Sequence, residues 1–142
     1  MAGIIKNDLW TLARGVHGER PLWLRYRSEF IVRPDIREFP KLVRVVWRFE
    51  EGPEGVPAAH SPKAMEVFEN RLVAALESRL LGVLTASITT GGERTWVLYV
   101  RNTQLFSEAL HAMPQETDPY PISIQAEDDE NWDFLYNNVL PP

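Results

Sequence analysis

Histidine is the side chain that most often moves protons near neutral pH, and this chain of 142 residues has three. His17 lies in a glycine-containing segment, His60 in a proline-containing loop and His111 late in a segment of helical periodicity. No two of them have the close spacing of a metal-binding pair. We therefore expect no metal and no cofactor, and we keep a hydrolase-like enzyme that pairs one of these histidines with a carboxylate as an alternative.

The sequence also lacks the motifs of other catalytic nucleophiles and of phosphate-binding loops. The chain contains no cysteine, which excludes thiolate zinc sites, iron–sulfur clusters and cysteine nucleophiles. No serine lies in a G-x-S-x-G elbow, and Gly91-Gly92 is typical of a hairpin turn and not of a phosphate loop. We expect no catalytic residues, and a non-enzymatic function is more in keeping with this sequence than catalysis.

Arginine alternates with apolar residues on two predicted strands. Arg25 and Arg27 lie on the first of them, and Arg44 and Arg48 on the second. If the two strands are neighbours, four guanidinium groups line one face of a sheet, where their planar forks suit carboxylates or phosphates. Two alternatives remain open: the arginine stems cover apolar sheet, or the guanidinium groups pair with the protein's own carboxylates.

A second predicted binding surface is acidic and lies near the C-terminus. It consists of Asp128, Asp129 and Glu130, followed by Trp132. Acidic residues are also favoured at the start of a helix, where they cap free N–H groups and interact with the helix dipole. Capping of a final helix by Asp128 or Asp129 is therefore the local alternative to a binding function.

Periodicity predicts the elements that position these residues. Apolar residues at every second position favour an N-terminal hairpin and a strand over Leu42–Phe49, with Val45 and Trp47 on one face. A helix should begin at Ser61-Pro62, end near Leu80 and be capped by Gly82. A second hairpin turns at Gly91-Gly92, a second helix begins at Asn102 or Thr103, and a last strand and helix follow.

From the Leu42–Phe49 strand onward the predicted order is β-α-β-β-α-β, which is a ferredoxin-like arrangement. We expect one α+β domain over 1–142, a ferredoxin-like βαββαβ sandwich with an added N-terminal β-hairpin and a C-terminal helix. Its parts are the hairpin and connection in 1–40, the core in 41–127 and the helix in 128–142.

Charge is divided unevenly along the chain. Residues 1–50 have ten Lys/Arg and six Asp/Glu, a net charge of +4, whereas residues 51–142 have five and fourteen, a net charge of −9. The total of −5 disfavours nucleic acid, which binds through Lys/Arg contacts.

The sequence predicts neither a signal peptide nor a membrane span, so we expect a soluble, cytoplasmic protein without a membrane partner.

The C-terminal run from Asp129 to Pro141 combines an acid, Trp132, further aromatic residues, Leu140 and proline. It resembles the ending of the bacterial family called domain of unknown function 695, and the predicted hairpins and long helix are consistent with that family. The family is similar in fold pattern to the B-type regulator of ribonuclease E, a protein inhibitor. This resemblance implies a protein-interaction or regulatory module with a protein partner; a small-anion-binding domain and a homodimer remain open alternatives.

Overall fold

A computed structural model of the protein describes residues 10–27, 36–50, 61–114 and 120–140, without the side chains of residues 17, 61 and 62. The strands are β1 (Trp10–His17), β2 (Arg20–Arg27), β3 (Lys41–Arg48), β4 (Gly82–Thr90), β5 (Glu93–Val100) and β6 (Ile122–Asp128). The helices are α1 (Ser61–Glu77), α2 (Thr103–Ala112) and a short C-terminal π-helix (Phe134–Val139).

The six strands form one sheet in the order β1-β2-β4-β5-β3-β6, and all neighbouring strands are antiparallel. The prediction of an α+β fold is therefore confirmed. The N-terminal hairpin extends the sheet beyond β4, so that β2 and β3 are separated by two strands. None of the helices in the described ranges is long and apolar enough to cross a bilayer.

Glycine forms the turns of both predicted hairpins. Gly91 and Gly92 both have positive φ, as a tight two-residue turn between β4 and β5 requires. In the N-terminal hairpin the turn is shorter than the sequence indicates, because Gly18 adopts φ 65° and allows His17 to pair with Arg20. The result is a pair of eight-residue strands.

The end of α1 differs from the prediction that Gly82 caps it. Leu80 adopts the left-handed conformation at φ 57°, and the N–H groups of Leu80 and Leu81 donate to the carbonyls of Glu77 and Leu76 at 3.3 and 2.9 Å. This is the hydrogen-bond pattern of a Schellman motif. Gly82 instead begins β4, where a Cβ atom would lie 2.7 Å from a methyl group of Val100.

One face of the sheet is covered by both α1 and α2. Val45 and Trp47 are buried there, as the alternation on β3 predicts, and the stripe on α1 packs against them. The second helix also follows the prediction, because the side chain of Asn102 caps it by accepting from Leu105 N–H at 2.7 Å. The cluster on this face includes Met65, Phe68, Leu72, Leu76, Leu84, Trp96, Leu98, Phe106 and Ala109.

The opposite face is also covered, by the π-helix and by the segment before β3. Leu42 and Tyr99 of the sheet contact Trp132 and Leu135 in a second buried cluster with Phe39. The sheet therefore has apolar layers on both sides, and the face that carries Arg44 is not an open surface along its whole length.

Candidate functional site

Arg25 and Arg27, two of the three arginines of β2, point toward helix α1. Arg27 donates to both carboxylate oxygens of Glu77 at 2.8 and 3.0 Å, and only 3% of its side chain is exposed. Arg25 forms an ion pair with Glu69, a carboxylate that also accepts from Trp96 Nε1 at 2.9 Å. Both arginines therefore attach the N-terminal hairpin to α1 through the protein's own carboxylates.

The two arginines of β3 lie on the opposite face of the sheet. Arg44 pairs with Glu127 of β6 at 2.7 Å, and its guanidinium carbon lies 4.8 Å from the ring of Phe134. Arg48 is largely exposed and pairs with Glu93 at 3.4 Å. The expectation that these residues share one face with Arg25 and Arg27 is wrong, because β4 and β5 separate the strands and the side chains alternate in opposite phase.

Asp129 caps the C-terminal helix, which is the local alternative to a binding function that the sequence indicated. Its carboxylate accepts from the N–H groups of Asp133 and Phe134 at 2.8 and 3.0 Å, which caps the π-helix. It also accepts from the hydroxyl of Tyr99 at 2.7 Å. Burial raises the pKa of Tyr99, and the hydrogen bond to Asp129 raises it further.

The other residues of the predicted acidic surface have different environments. Asp128 forms an ion pair with Lys41, and Glu130 is exposed. Trp132 is fully buried, stacks on Tyr99 with ring centroids 4.3 Å apart and donates to the carbonyl of Phe39 at 2.8 Å. The structure thus places Trp132 in the core, and the acidic residues around it are split between capping, ion pairing and solvent.

A concave site that the sequence did not reveal lies on the N-terminal hairpin, on the face that α1 covers. It has a volume of about 320 Å³, and we call it the arginine pocket. Strands β1, β2, β4 and β5 all contribute to it. Its lining residues are Leu12, Ala13, Arg14, Trp23, Leu24, Arg25, Ser87, Thr89 and Arg94.

Three guanidinium groups meet at this pocket. The guanidinium carbon of Arg14 lies 4.7 Å from the ring of Trp23, and that of Arg25 lies 4.4 Å from the ring of Trp10. Arg94 donates from Nε to the hydroxyl of Thr89 at 2.9 Å. The indole rings of Trp23 and Trp10 therefore hold the guanidinium groups of Arg14 and Arg25 by cation–π contacts, and Arg25 is also paired with Glu69.

The environment of Arg94 is unfavourable for a positive charge. Burial lowers its pKa, the nearby charge of Arg25 lowers it further, and Glu69 partly offsets both effects. Within the residues that the structure describes, Arg94 forms no ion pair of its own. A half-buried cation next to a second cation favours the binding of an anion, because the negative charge of an anion would offset both effects.

Sequence reasoning missed Arg14 and Arg94 for identifiable reasons. Arg14 is in phase with Trp10 and Leu12 on β1, so its alternation was visible, but the sequence does not show that β2 lies between β1 and β4. Arg94 follows the Gly91-Gly92 turn and looks like a solvent-exposed hairpin residue. Strands β2, β4 and β5 become neighbours through the pairing of Trp23 with Thr89 and of Thr89 with Arg94, which the sequence does not show.

A second concavity lies between α1 and α2 and has a volume of about 450 Å³. Small side chains such as Ala74 and Ala109 form part of its wall. Arg71 at its rim already donates to the hydroxyl of Tyr120 at 2.8 Å and contacts the carbonyl of Pro114 at 3.5 Å. It is larger than the arginine pocket, and its polar lining consists of Asn70, Arg71, Ser78 and Arg79, with two arginines against three in the arginine pocket.

The histidines do not assemble a catalytic or metal site in the part of the chain that the structure describes. His111 is exposed on α2, and its Nδ1 lies 2.8 Å from the carbonyl of Ser107. The side chain of His17 and the whole of His60 lie outside the described residues. Over the described ranges, no group of three or more His, Cys, Asp or Glu residues could hold a metal ion.

The fold and the site define a mixed α+β domain with an arginine-lined pocket beside its N-terminal hairpin. The model of the family of unknown function DUF695 matches residues 8–140, so the chain belongs to that family. Searches of curated proteins and of solved structures gave no match to the chain. The similarity to the B-type regulator of ribonuclease E is not among these findings and stays a prediction.

Proposed function

We propose that the protein is a non-enzymatic binding domain that recognises an anionic group, a carboxylate or a phosphate, in the arginine pocket. The observation that carries the proposal is that three arginines, Arg14, Arg25 and Arg94, line one cavity, where the charges of Arg25 and Arg94 interact. The hydroxyl groups of Ser87 and Thr89 lie at the same wall. The anion has two sources to be distinguished: a free small molecule, or an acidic side chain of a protein partner.

The geometry of the pocket supports recognition of an anion by planar, charge-assisted hydrogen bonds. Guanidinium groups bind carboxylates and phosphates through two parallel N–H groups, which gives orientation as well as affinity. Trp23 supplies a flat apolar wall that excludes water from one side of a bound group. A volume of about 320 Å³ suits a small dicarboxylate, a phosphate ester or one acidic side chain, and is too small for an extended polymer.

The composition of the pocket favours binding over catalysis. Arginine stays protonated at neutral pH and cannot accept a proton from a substrate. Ser87 and Thr89 would need a neighbouring base to act as nucleophiles, whereas the charged residues of the lining are arginines. The carboxylate of Glu69, which pairs with Arg25, also accepts from Trp96 Nε1.

We also propose that the segment from β3 to β6 has the ferredoxin-like arrangement. The proposal is supported by the strand order β4-β5-β3-β6, by antiparallel pairing throughout and by the burial of α1 and α2 in one cluster. A protein partner and a cytoplasmic location stay predictions, and the acidic side chain of such a partner is one of the two sources named above.

The test is binding of defined anions followed by thermal unfolding and calorimetry. The probes are inorganic phosphate, malonate and a short peptide rich in glutamate, each against the unmodified protein. A saturable rise in melting temperature is expected, because a ligand that binds only the folded state stabilises it. Stabilisation by malonate or phosphate alone would identify a small-molecule site, and stabilisation by the peptide alone would identify a protein partner.

Two variants with the same change in charge make the test specific. Arg94→Gln should weaken binding at least about tenfold, because it removes a charge-assisted hydrogen-bond donor from the pocket. Arg48→Gln removes the same charge from the opposite face and should leave the affinity within about twofold. Flat melting curves with all three probes, or an equal loss in both variants, would overturn the proposal.

A further inference from the structure

Strand β1 lies at the end of the sheet and, among the described strands, pairs with β2 alone. Two large apolar side chains on it face solvent: Leu12 is 77% exposed and Val16 is 70% exposed. Natural proteins shield edge strands with charge, proline or bulges, because an apolar edge invites pairing with another strand. On β1, Leu12 and Val16 lie on one face of the edge strand, where the side chains of a further paired strand would contact them.

The N-terminal turn determines which backbone groups of β1 face outward. In a two-residue hairpin the flanking residues, His17 and Arg20, form a hydrogen-bonded pair, and pairs alternate from there. Val16 and Pro21 then form a non-hydrogen-bonded pair, which agrees with the missing N–H of proline. The N–H and C=O groups of Leu12 and the other even-numbered residues of β1 are therefore directed away from β2.

We propose that two copies of the chain associate through antiparallel pairing of their β1 strands, with Ala13 of each copy at the two-fold axis. The two sheets then form one continuous sheet of twelve strands. The interface is isologous, since the same strand supplies both sides. This proposal concerns assembly and does not depend on the identity of the ligand in the arginine pocket.

The sequence of β1 is complementary to itself in this register. Leu12 lies opposite the partner's Arg14, whose aliphatic stem covers it, and Trp10 lies opposite the partner's Val16. These cross-strand pairs cover the two exposed apolar side chains. In this register the two residues of each pair are both even-numbered or both odd-numbered. Their side chains therefore lie on the same face of the sheet, because alternate residues of a strand share a face.

Neighbouring registers are less favourable. Centring the pair on Arg14 sets two guanidinium groups directly opposite each other, which destabilises a sheet. Centring it on Leu12 carries Val16 past the end of the partner's strand β1, so that this side chain stays exposed. The register centred on Ala13 pairs every residue from Trp10 to Val16.

The proposed dimer has a consequence for the arginine pocket. Leu12, Ala13 and Arg14 form the side of the pocket that lies on β1. A second copy paired with β1 would stand next to this side, so the partner's Leu12 would lie beside Arg14. Each pocket would then be bordered by both copies.

Single-cysteine variants test the register, since the natural chain has no cysteine. In the proposed dimer the two Ala13 residues form a non-hydrogen-bonded pair with Cα atoms about 4.5 Å apart, within the range that a disulfide spans. Ala13→Cys should give a covalent dimer under mild oxidation at least about tenfold faster than Glu108→Cys on the exposed side of α2. Faster cross-linking of Arg14→Cys, or of Ile124→Cys on the other sheet edge, would overturn the proposal.

Light scattering tests the association without any cross-link. The unmodified chain should have twice the 16.3 kDa mass of a single copy. Leu12→Lys should raise the dimer dissociation constant at least about tenfold, because it sets a lysine opposite the partner's Arg14 at two symmetric positions. Ile124→Lys, the matched change on β6, should leave the mass unchanged; a monomer for the unmodified chain at high concentration would contradict the proposal.

Discussion

The C-terminal segment and the N-terminal hairpin make opposite use of polar and aromatic side chains. Asp129 and Trp132 direct their polar atoms to partners inside the protein, and the indole stacks on Tyr99 in the core. On the hairpin, aromatic rings stack under the guanidinium groups of Arg14 and Arg25 beside a cavity. The first arrangement stabilises the fold, and the second keeps charge at a surface where a ligand can reach it.

Two charged motifs with aromatic neighbours thus differ in whether the protein itself satisfies their charge. The carboxylate of Asp129 accepts from two N–H groups within five residues along the chain and from Tyr99, so its oxygens are used by the protein itself. Around Arg94 the positive charge is desolvated and lies near a second cation. Substitutions in the two regions should therefore differ in their effect on stability.

The largest effect is expected for Trp132→Ala. Removing a fully buried indole leaves a cavity beneath the sheet and should lower the free energy of unfolding by about 3–5 kcal/mol. Trp23→Ala, in the half-buried pocket wall, should cost about 1–2 kcal/mol. Chemical denaturation of both variants measures the difference, and equal losses would remove the distinction between the two regions.

Arg27→Met should have the next largest effect. It leaves the carboxylate of Glu77 without its bidentate partner at a site where Arg27 is almost fully buried, which should cost about 3 kcal/mol. Arg25→Met is the matched control. Because the side chain of Arg25 is 32% exposed, this substitution should lower the free energy of unfolding by about 1 kcal/mol or less. A loss for Arg27→Met as small as that for Arg25→Met would mean that the hairpin is not fixed to α1 by this pair.

Tyr99→Phe should change both stability and its dependence on pH. At neutral pH the lost hydrogen bond to Asp129 should cost about 1 kcal/mol. The folded protein holds the hydroxyl proton of Tyr99 more tightly than the unfolded chain, because burial raises the pKa. This contribution is complete below the ordinary tyrosine pKa of about 10 and is lost as pH rises above it.

The measurement for Tyr99 is the free energy of unfolding from neutral to alkaline pH. The unmodified protein should lose stability more steeply above the ordinary tyrosine pKa than Tyr99→Phe does, since only the former releases this proton on unfolding. Parallel curves for the two proteins would show that folding does not raise the pKa of Tyr99.

The smallest effect on stability is expected for Arg94→Gln. Removing a desolvated cation should leave the ligand-free protein unchanged within about 0.5 kcal/mol, or slightly more stable, as is common at sites kept for binding. The melting temperature without ligand measures this. A large destabilisation would assign Arg94 to the fold and would weaken the case for the pocket.

Much of the architecture follows from local patterns. The alternation of Val43, Val45 and Trp47 correctly predicts the buried face of β3, and the glycine pair 91–92 correctly predicts a tight turn. Asn102 caps α2 as the sequence indicates. These features depend on residues close together in the chain, whose conformational preferences act in any fold.

Predictions that depended on distant residues fared less well. Gly82 looks like a helix cap, but its small size is needed where β4 approaches Val100. Trp132 looks like a surface aromatic residue in an acidic run, but its backbone has a positive φ and its side chain is buried in the core. In both cases the decisive neighbour lies at least eighteen residues away in the sequence.

Hydrophobic period and capping chemistry are local, so the amino-acid pattern alone predicts the strands, the helices, the capping of the last two helices and the burial of one face of the sheet. That Arg14, Arg25 and Arg94 line one pocket while Arg44 and Arg48 lie across the sheet is a property of the folded chain. The order of strands determines which side chains become neighbours, and strand order arises from long-range packing that no local pattern encodes.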